Sequence, residues 1–217
     1  MNSLAFAPHE YGLILLCGSS DGFISLHEYK NESWVSRRQE AHNLGVNSVS
    51  WGPSFNPITF QSEDDNSLGN TLAPMRFVSG GCDNLVKVWV MSKPQDLNEE
   101  MELKYTELKG HNDWVRDVTW LNYVGYAYDT IASCSEDENV FVWKFDKVEN
   151  KWSNTSLKKK FNNPTWKVSW SYCGSYLAVS AGDNYVYLFK ENSQDDWEEF
   201  SQINQEGNVE QINENNN

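Results

Sequence analysis

Ser135-Glu136-Asp137-Glu138-Asn139-Val140-Phe141-Val142-Trp143 decides the reading of this chain, because its pattern occurs four times. The other copies are Ser19-Ser20-Asp21-Gly22-Phe23-Ile24-Ser25-Leu26-His27, Gly81-Cys82-Asp83-Asn84-Leu85-Val86-Lys87-Val88-Trp89 and Ala181-Gly182-Asp183-Asn184-Tyr185-Val186-Tyr187-Leu188-Phe189. Small residues lead to an Asp, and a turn residue follows (Gly22, Asn84, Asn139, Asn184). An alternating strand then carries an aromatic or His six positions after the Asp. Asn, Asp and Gly accept the positive φ of a tight hairpin. One such hairpin carries little information, but four at spacings of 62, 54 and 46 residues indicate a repeat architecture with the period of a propeller blade.

Composition agrees with a β-rich repeat protein. The chain has 217 residues, is 39% hydrophobic and 14% aromatic, and contains ten Trp; Trp at matched positions is a mark of blade-built folds. With 17 basic and 31 acidic residues the net charge is −14, which argues against nucleic acid as a direct partner because phosphate binding needs a basic footprint. A protein partner is compatible with that charge. Cys17, Cys82 and Cys134 stand at or beside the end of the strand before a repeated Asp, and Cys173 stands in a turn. None forms a CxxC pair, so neither zinc nor a disulfide framework is expected, and the thiols read as reduced ones in a cytosolic protein. No cofactor motif is present. Without a signal-peptide pattern or an 18-residue apolar run, the chain is expected neither to enter nor to span a membrane by itself.

The repeat divides the chain into units at about 1–40, 41–109, 110–160 and 161–203, each offering four short strands joined by turns. Residues 53–74, with Pro53, Pro57, Pro74 and a polar run at 61–67, read as a surface-loop insertion, partly disordered. Residues 204–217, rich in Asn, Gln and Glu, read as a disordered tail. Helix signals are absent. The expected fold is all-β: four four-stranded antiparallel blades side by side.

One constellation carries chemistry. His42, Ser79, Asp83 and Trp89 in the second unit are matched by His111, Ser133, Asp137 and Trp143 in the third. Ser, His and Asp suggest a catalytic triad, yet a catalytic site is not usually duplicated unit by unit. A buried indole N–H and imidazole must find partners, and a fully satisfied network holds a blade together. The set therefore reads as a structural tetrad. The first and fourth units retain the turn residues Asp21 and Asp183. The first has His27 for the Trp and Cys17 for the Ser; the fourth has Phe189 for the Trp and lacks the Gly-His lead. Those two units are expected to rely on apolar packing. Lys158-Lys159-Lys160 reads as a solvated loop, and Asn154-Thr155-Ser156 as an unused glycosylation sequon. No phosphate loop, HExxH or paired-carboxylate signature is present.

The tetrads resemble those of WD-repeat proteins, although Val90 and Lys144 stand where the Trp-Asp dipeptide would have Asp. A closer resemblance follows from 7–15 (APHEYGLIL), 17–22 (CGSSDG), 79–85 (SGGCDNL), 113–118 (DWVRDV), 131–135 (IASCS), 166–170 (WKVSW) and 182–184 (GDN). These look like the Sec-thirteen family, the small WD-repeat subunit of the outer COPII coat, over about residues 2–200, with 53–74 least similar. The resemblance implies a non-catalytic scaffold: an open six-bladed propeller that an α-solenoid partner completes with a blade of its own. The family serves the COPII coat in transport from the endoplasmic reticulum to the Golgi, the nuclear-pore Y-complex with a nucleoporin solenoid, and a nutrient-signalling complex. It is cytoplasmic, at exit sites and coated vesicles, and peripheral to the membrane through the coat. Against that pattern this chain corresponds to the last four blades, as a fragment or a shortened relative, and should leave two flanks bare. The partner is expected beside the last blade by β-augmentation and flank packing, near Trp170, Tyr185, Tyr187 and Phe189, unless these aromatics are inter-blade core. Other WD-repeat adaptors, of a ubiquitin ligase or a chromatin complex, are the alternative; an enzyme is the remote one.

Overall fold

A computed structural model of the chain describes residues 1–54, 74–92, 102–122, 128–146, 148–193 and 196–211. The described residues form four antiparallel sheets with strands in consecutive order. The first holds β1 (Ser3–Phe6), β2 (Ile14–Gly18), β3 (Phe23–Lys30) and β4 (Ser33–Glu40). The second holds β5 (Val46–Trp51), β6 (Met75–Gly81), β7 (Val86–Ser92) and β8 (Glu102–Leu108). The third holds β9 (Val115–Trp120), β10 (Asp129–Ser135), β11 (Val140–Asp146) and β12 (Lys151–Ser156). The fourth holds β13 (Thr165–Trp170), β14 (Tyr176–Ala181), β15 (Val186–Glu191), β16 (Trp197–Ile203) and β17 (Val209–Gln211). A three-residue 3-10 turn at His9–Tyr11 links β1 and β2.

Strand β17 corrects the expectation for the tail. The polar stretch after β16 turns at Asn204, whose side chain accepts the N–H groups of Glu206 and Asn208. Gly207 takes φ +80°, and Val209 then pairs with Ile203. Composition marks this segment as unable to build a core, but it needs none: its backbone completes the edge of β16. The rest of the expected tail, 212–217, and residues 55–73 of the expected insertion lie outside the described residues.

The sheets pack face to face, each pair enclosing one apolar cluster. Leu16, Ile24, Phe77 and Trp89 sit between the first and second. Val78, Val86, Ile131 and Trp143 sit between the second and third. Ala132, Val142, Phe161 and Phe189 sit between the third and fourth. A fully buried side chain of this kind contributes about 2–3 kcal/mol, so the stacking of neighbours is the main stabilising interaction.

The innermost strands are latched to one another by a recurring device. A β-bulge interrupts the register at Val46/Ser48 on β5, at Val115/Asp117 on β9 and at Thr165/Lys167 on β13. The extra residue of each bulge leaves the ladder and reaches along the stack. Asn47 Nδ2 donates to the Val115 carbonyl at 2.8 Å, and the Arg116 guanidinium lies 4.9 Å from the Trp166 ring centroid. Asn2, ahead of β1, likewise donates to the Val46 carbonyl at 2.9 Å.

The four hairpin turns place positive φ at the residue directly after the repeated Asp: Gly22 (+88°), Asn84 (+66°), Glu138 (+64°) and Asn184 (+69°). In the third turn the expected residue was Asn139, and the structure moves the role to Glu138. Register, not residue type, fixes which position enters the left-handed region. Asn139 instead braces the turn, its side-chain amide donating to the Asp137 carbonyl at 2.9 Å. A Glu in this conformation is strained. Glu138→Gly is therefore expected to raise the unfolding free energy by about 0.5–1 kcal/mol. A urea titration tests this; a loss of stability would mean that the Glu138 side chain makes a contact worth more than the strain.

Candidate functional site

Both tetrads close. In the second sheet the His42 ring lies 2.7 Å from Asp83 Oδ1 and 2.8 Å from Ser79 Oγ. The Trp89 indole N–H donates to Ser79 Oγ at 2.9 Å. In the third, His111 meets Asp137 at 3.1 Å and Ser133 at 2.8 Å, and the Trp143 indole donates to Ser133 at 2.8 Å. One proton arrangement satisfies every group: indole N–H to serine oxygen, serine O–H to His Nε2, and His Nδ1–H to carboxylate. The carboxylates also accept backbone N–H groups, Asn43 and Leu85 on Asp83 and Asn112 and Asn139 on Asp137. Burial alone would raise the Asp137 carboxyl; the His111 bond and the two backbone N–H groups outweigh it and hold it down at about 2. Asp83 is lowered by the same balance. Ser79 and Ser133 have no exposed surface, and each already holds an indole donor, so neither hydroxyl can meet a substrate.

The two departing units differ from each other. In the first, Cys17 is buried, but His27 is tied to Ser25 at 3.0 Å and Ser36 at 2.7 Å on its own sheet. Asp21 accepts the Phe23 N–H and pairs with Arg38. In the fourth, Phe161 stands where His111 stands in the third, packing on Tyr187 and Phe189 with ring centroids 5.4 and 6.2 Å away. Apolar packing does replace the tetrad there, with one polar link kept: the Tyr187 hydroxyl donates to Asp183 at 2.5 Å. Burial and Asp183 raise the Tyr187 pKa. Phe161 is missed in the sequence because it matches the His only once the turn before β13 is aligned with the turn before β9. The lysine run also does more than solvate a loop: Lys158 pairs with Asp196 and Lys159 with Glu199, at 2.8 and 2.7 Å.

Asp117 stands in the sequence only as one member of the 113–118 motif, with no role of its own assigned, yet it joins three sheets. From the centre of β9, with 3% exposure, its carboxylate accepts from Ser48 Oγ on β5 at 2.6 Å, and from Lys167 Nζ and the Val168 backbone N–H on β13 at 3.3 and 3.0 Å.

The expected partner surface needs correction. Tyr187 and Phe189 are 5% and 0% exposed inside the cluster shared with the third sheet, so they offer nothing to a partner. Trp170 and Tyr185 are half-buried against the same cluster. The alternation of β15 turns its other residues outward. Val186 stands in register with Ser180, Ile203 and, through Ile203, Val209; Tyr176 and Phe200 lie 5.3 Å apart by ring centroid. Val186, Tyr176, Phe200 and Val209 are all exposed, and they form the uncovered face of the fourth sheet. At the other end of the stack the first sheet exposes Leu4, Phe6, Tyr29 and Trp34.

The family described as "WD domain, G-beta repeat" matches residues 102–144 and 155–190. "Protein transport protein sec13" of Emericella nidulans is 42% identical over 205 residues, which are 94% of this chain and 62% of that protein. "Protein SEC13 homolog" of Homo sapiens is 43% identical over 189 residues, 86% of this chain and 56% of that protein. The Drosophila melanogaster protein of the same name is 40% identical over 200 residues, 91% of this chain and 54% of that protein. The chain thus spans between about half and two-thirds of the length of these relatives.

Proposed function

The chain belongs to the Sec13 family of WD-repeat proteins, and we propose that it is a non-catalytic scaffold subunit in protein transport. The observation that carries this reading is the alignment of 94% of the chain with a relative named for protein transport. In this reading the chain serves the outer COPII coat between endoplasmic reticulum and Golgi, on the cytoplasmic side of the membrane, and also the nuclear-pore Y-complex. It reaches the membrane only through the coat. In both assemblies an α-solenoid subunit lays strands against the fourth sheet. The uncovered face around Val186 and Phe200 supports this: an exposed apolar sheet face is the surface on which a further blade would pack. The sealed serines of the tetrads support a scaffold rather than an enzyme.

The test is co-expression with the family's α-solenoid coat subunit and measurement of the recovered complex. A stoichiometric complex is expected. Val186→Asp combined with Phe200→Asp is expected to reduce recovery more than about tenfold, since a central apolar anchor contributes at least about 2 kcal/mol, with the melting temperature unchanged. Undiminished recovery removes the fourth-sheet face from the reading. Co-purification of a cullin adaptor or a histone complex in place of the solenoid overturns the reading itself.

A further inference from the structure

Two exposed tryptophans stand together where the inner strands begin. Trp114 lies just before β9 and Trp166 near the start of β13, and they are 41% and 46% exposed. One guanidinium serves both rings. Arg116 is 5.2 Å from the centroid of the Trp114 ring and 4.9 Å from that of Trp166, and its charge is met by Glu136. A cation over an indole face is a favourable contact, and the protein makes it here twice with its own arginine.

The backbone beneath the pair is fixed through Ser135, which has no exposed surface. Its Oγ donates to the Asp113 carbonyl at 3.0 Å, and the Thr165 hydroxyl donates to the Ser135 carbonyl at 2.8 Å. The Glu136 N–H donates to the Trp114 carbonyl at 3.0 Å. Both tryptophans are thus carried on ordered backbone, which reduces the entropy lost when a partner docks. Trp and Arg are also the side chains that most often anchor a protein interface. The stacking of sheets does not itself call for them: Gly45 and Asn47 stand in the second sheet where Trp114 and Arg116 stand in the third, and that junction closes with the Asn47 side chain alone.

We propose that this pair of indoles docks an extended basic segment of a protein partner, with an arginine or lysine side chain on each ring. The charge balance selects a cation. Glu136 already neutralises Arg116, and Lys167 is turned to Asp117. Asp113 accepts the Trp114 N–H at 2.7 Å; its carboxylate and that of Glu138, on the two loops joined through Ser135, meet no cation among the described residues. The whole chain carries a net charge of −14, so a basic segment is also drawn to it from a distance. Side chains two apart on an extended segment point the same way, about 7 Å from each other, and one such segment can reach both rings beside their shared guanidinium. None of these residues belongs to the uncovered face of the fourth sheet named above, and the site does not depend on the function proposed there.

The experiment titrates the 217-residue chain, labelled with ¹⁵N, with acetyl-Gly-Arg-Gly-Arg-Gly-amide and with the same peptide carrying Gln or Glu in place of both Arg. The readouts are the indole N–H signals of Trp114 and Trp166, assigned with Trp114→Phe and Trp166→Phe. Saturable movement of both signals is expected with the arginine peptide. Binding about tenfold weaker is expected with the glutamine peptide, which loses two exposed cation–π contacts, and no binding with the glutamate peptide. Trp166→Ala should weaken the arginine peptide about threefold, the size of one such contact, read on the Trp114 signal. Glu138→Gly should weaken it about twofold, the size of an exposed ion pair. That variant relieves the strained turn, so its loss of binding is not a loss of structure. The proposal is overturned if either signal stays still with the arginine peptide, if the glutamine or glutamate peptide binds as tightly, or if both variants bind like the parent.

Discussion

Asp117→Ala is expected to lower the unfolding free energy by about 3–5 kcal/mol and the melting temperature by about 10 °C. The carboxylate is buried at the junction of three sheets. Its loss leaves the Ser48 hydroxyl and the Val168 N–H without acceptors in the interior, and an orphaned buried donor costs about 1–3 kcal/mol. Lys167 contributes little to the loss, because its side chain is 72% exposed and water takes it back. Asp117→Asn keeps one acceptor oxygen and the shape of the site, so its loss should be about half as large. The Cys134 thiol reports the same change: it has no exposed surface, so its alkylation requires the fold to open and should quicken in Asp117→Ala as stability falls. Urea and thermal unfolding decide the matter. A loss below about 1 kcal/mol for the alanine variant would mean that the sheets hold together by apolar packing alone.

Ser79→Ala is the second change with a large expected effect, about 2–4 kcal/mol. The serine oxygen is the middle link of its tetrad, so its removal orphans both the Trp89 indole N–H and His42 Nε2, each buried. The same position in the fourth sheet is Val179, enclosed with Phe161 and Phe189 in a cluster of apolar residues. The opposite substitution there, Val179→Ser, should also destabilise, by about 1–3 kcal/mol, because it buries a hydroxyl with no tetrad to join. The pair of variants separates a tetrad that stabilises as a network from serine as a residue that merely fits the position. Equal and small effects at both positions would contradict the network.

Several of these features could be read in the chain and several could not, for a reason visible in particular residues. The Asp-turn-strand repeat was legible because its spacing is local: Asp83 and Trp89, or Asp137 and Trp143, lie six positions apart on one hairpin; the His and Ser of each tetrad were legible because the same set recurs in two units. Tyr187 and Phe189 show the limit. Alternation told that they share a face of β15, but not that the third sheet covers that face while Val186 looks outward; a pleated strand has two faces, and only a neighbour distinguishes them. The left-handed turn residue in the third unit was misplaced onto Asn139 because propensity favoured it, whereas the hairpin register put Glu138 there. Strand β17 formed from residues with no apolar period, because edge pairing with β16 satisfies a backbone without demanding a core.

The sequence by itself determined the all-β repeat and the order of the hairpins, which rest on residues near in the chain, and it named the tetrad members because their pattern recurs in two units. The tertiary structure alone decided which aromatics are core, that Asp117 joins three sheets, and that the tetrads close across as many as 41 positions. Those outcomes depend on partners such as Ser48 and Val168, which distance along the chain hides and the stacking of sheets brings together.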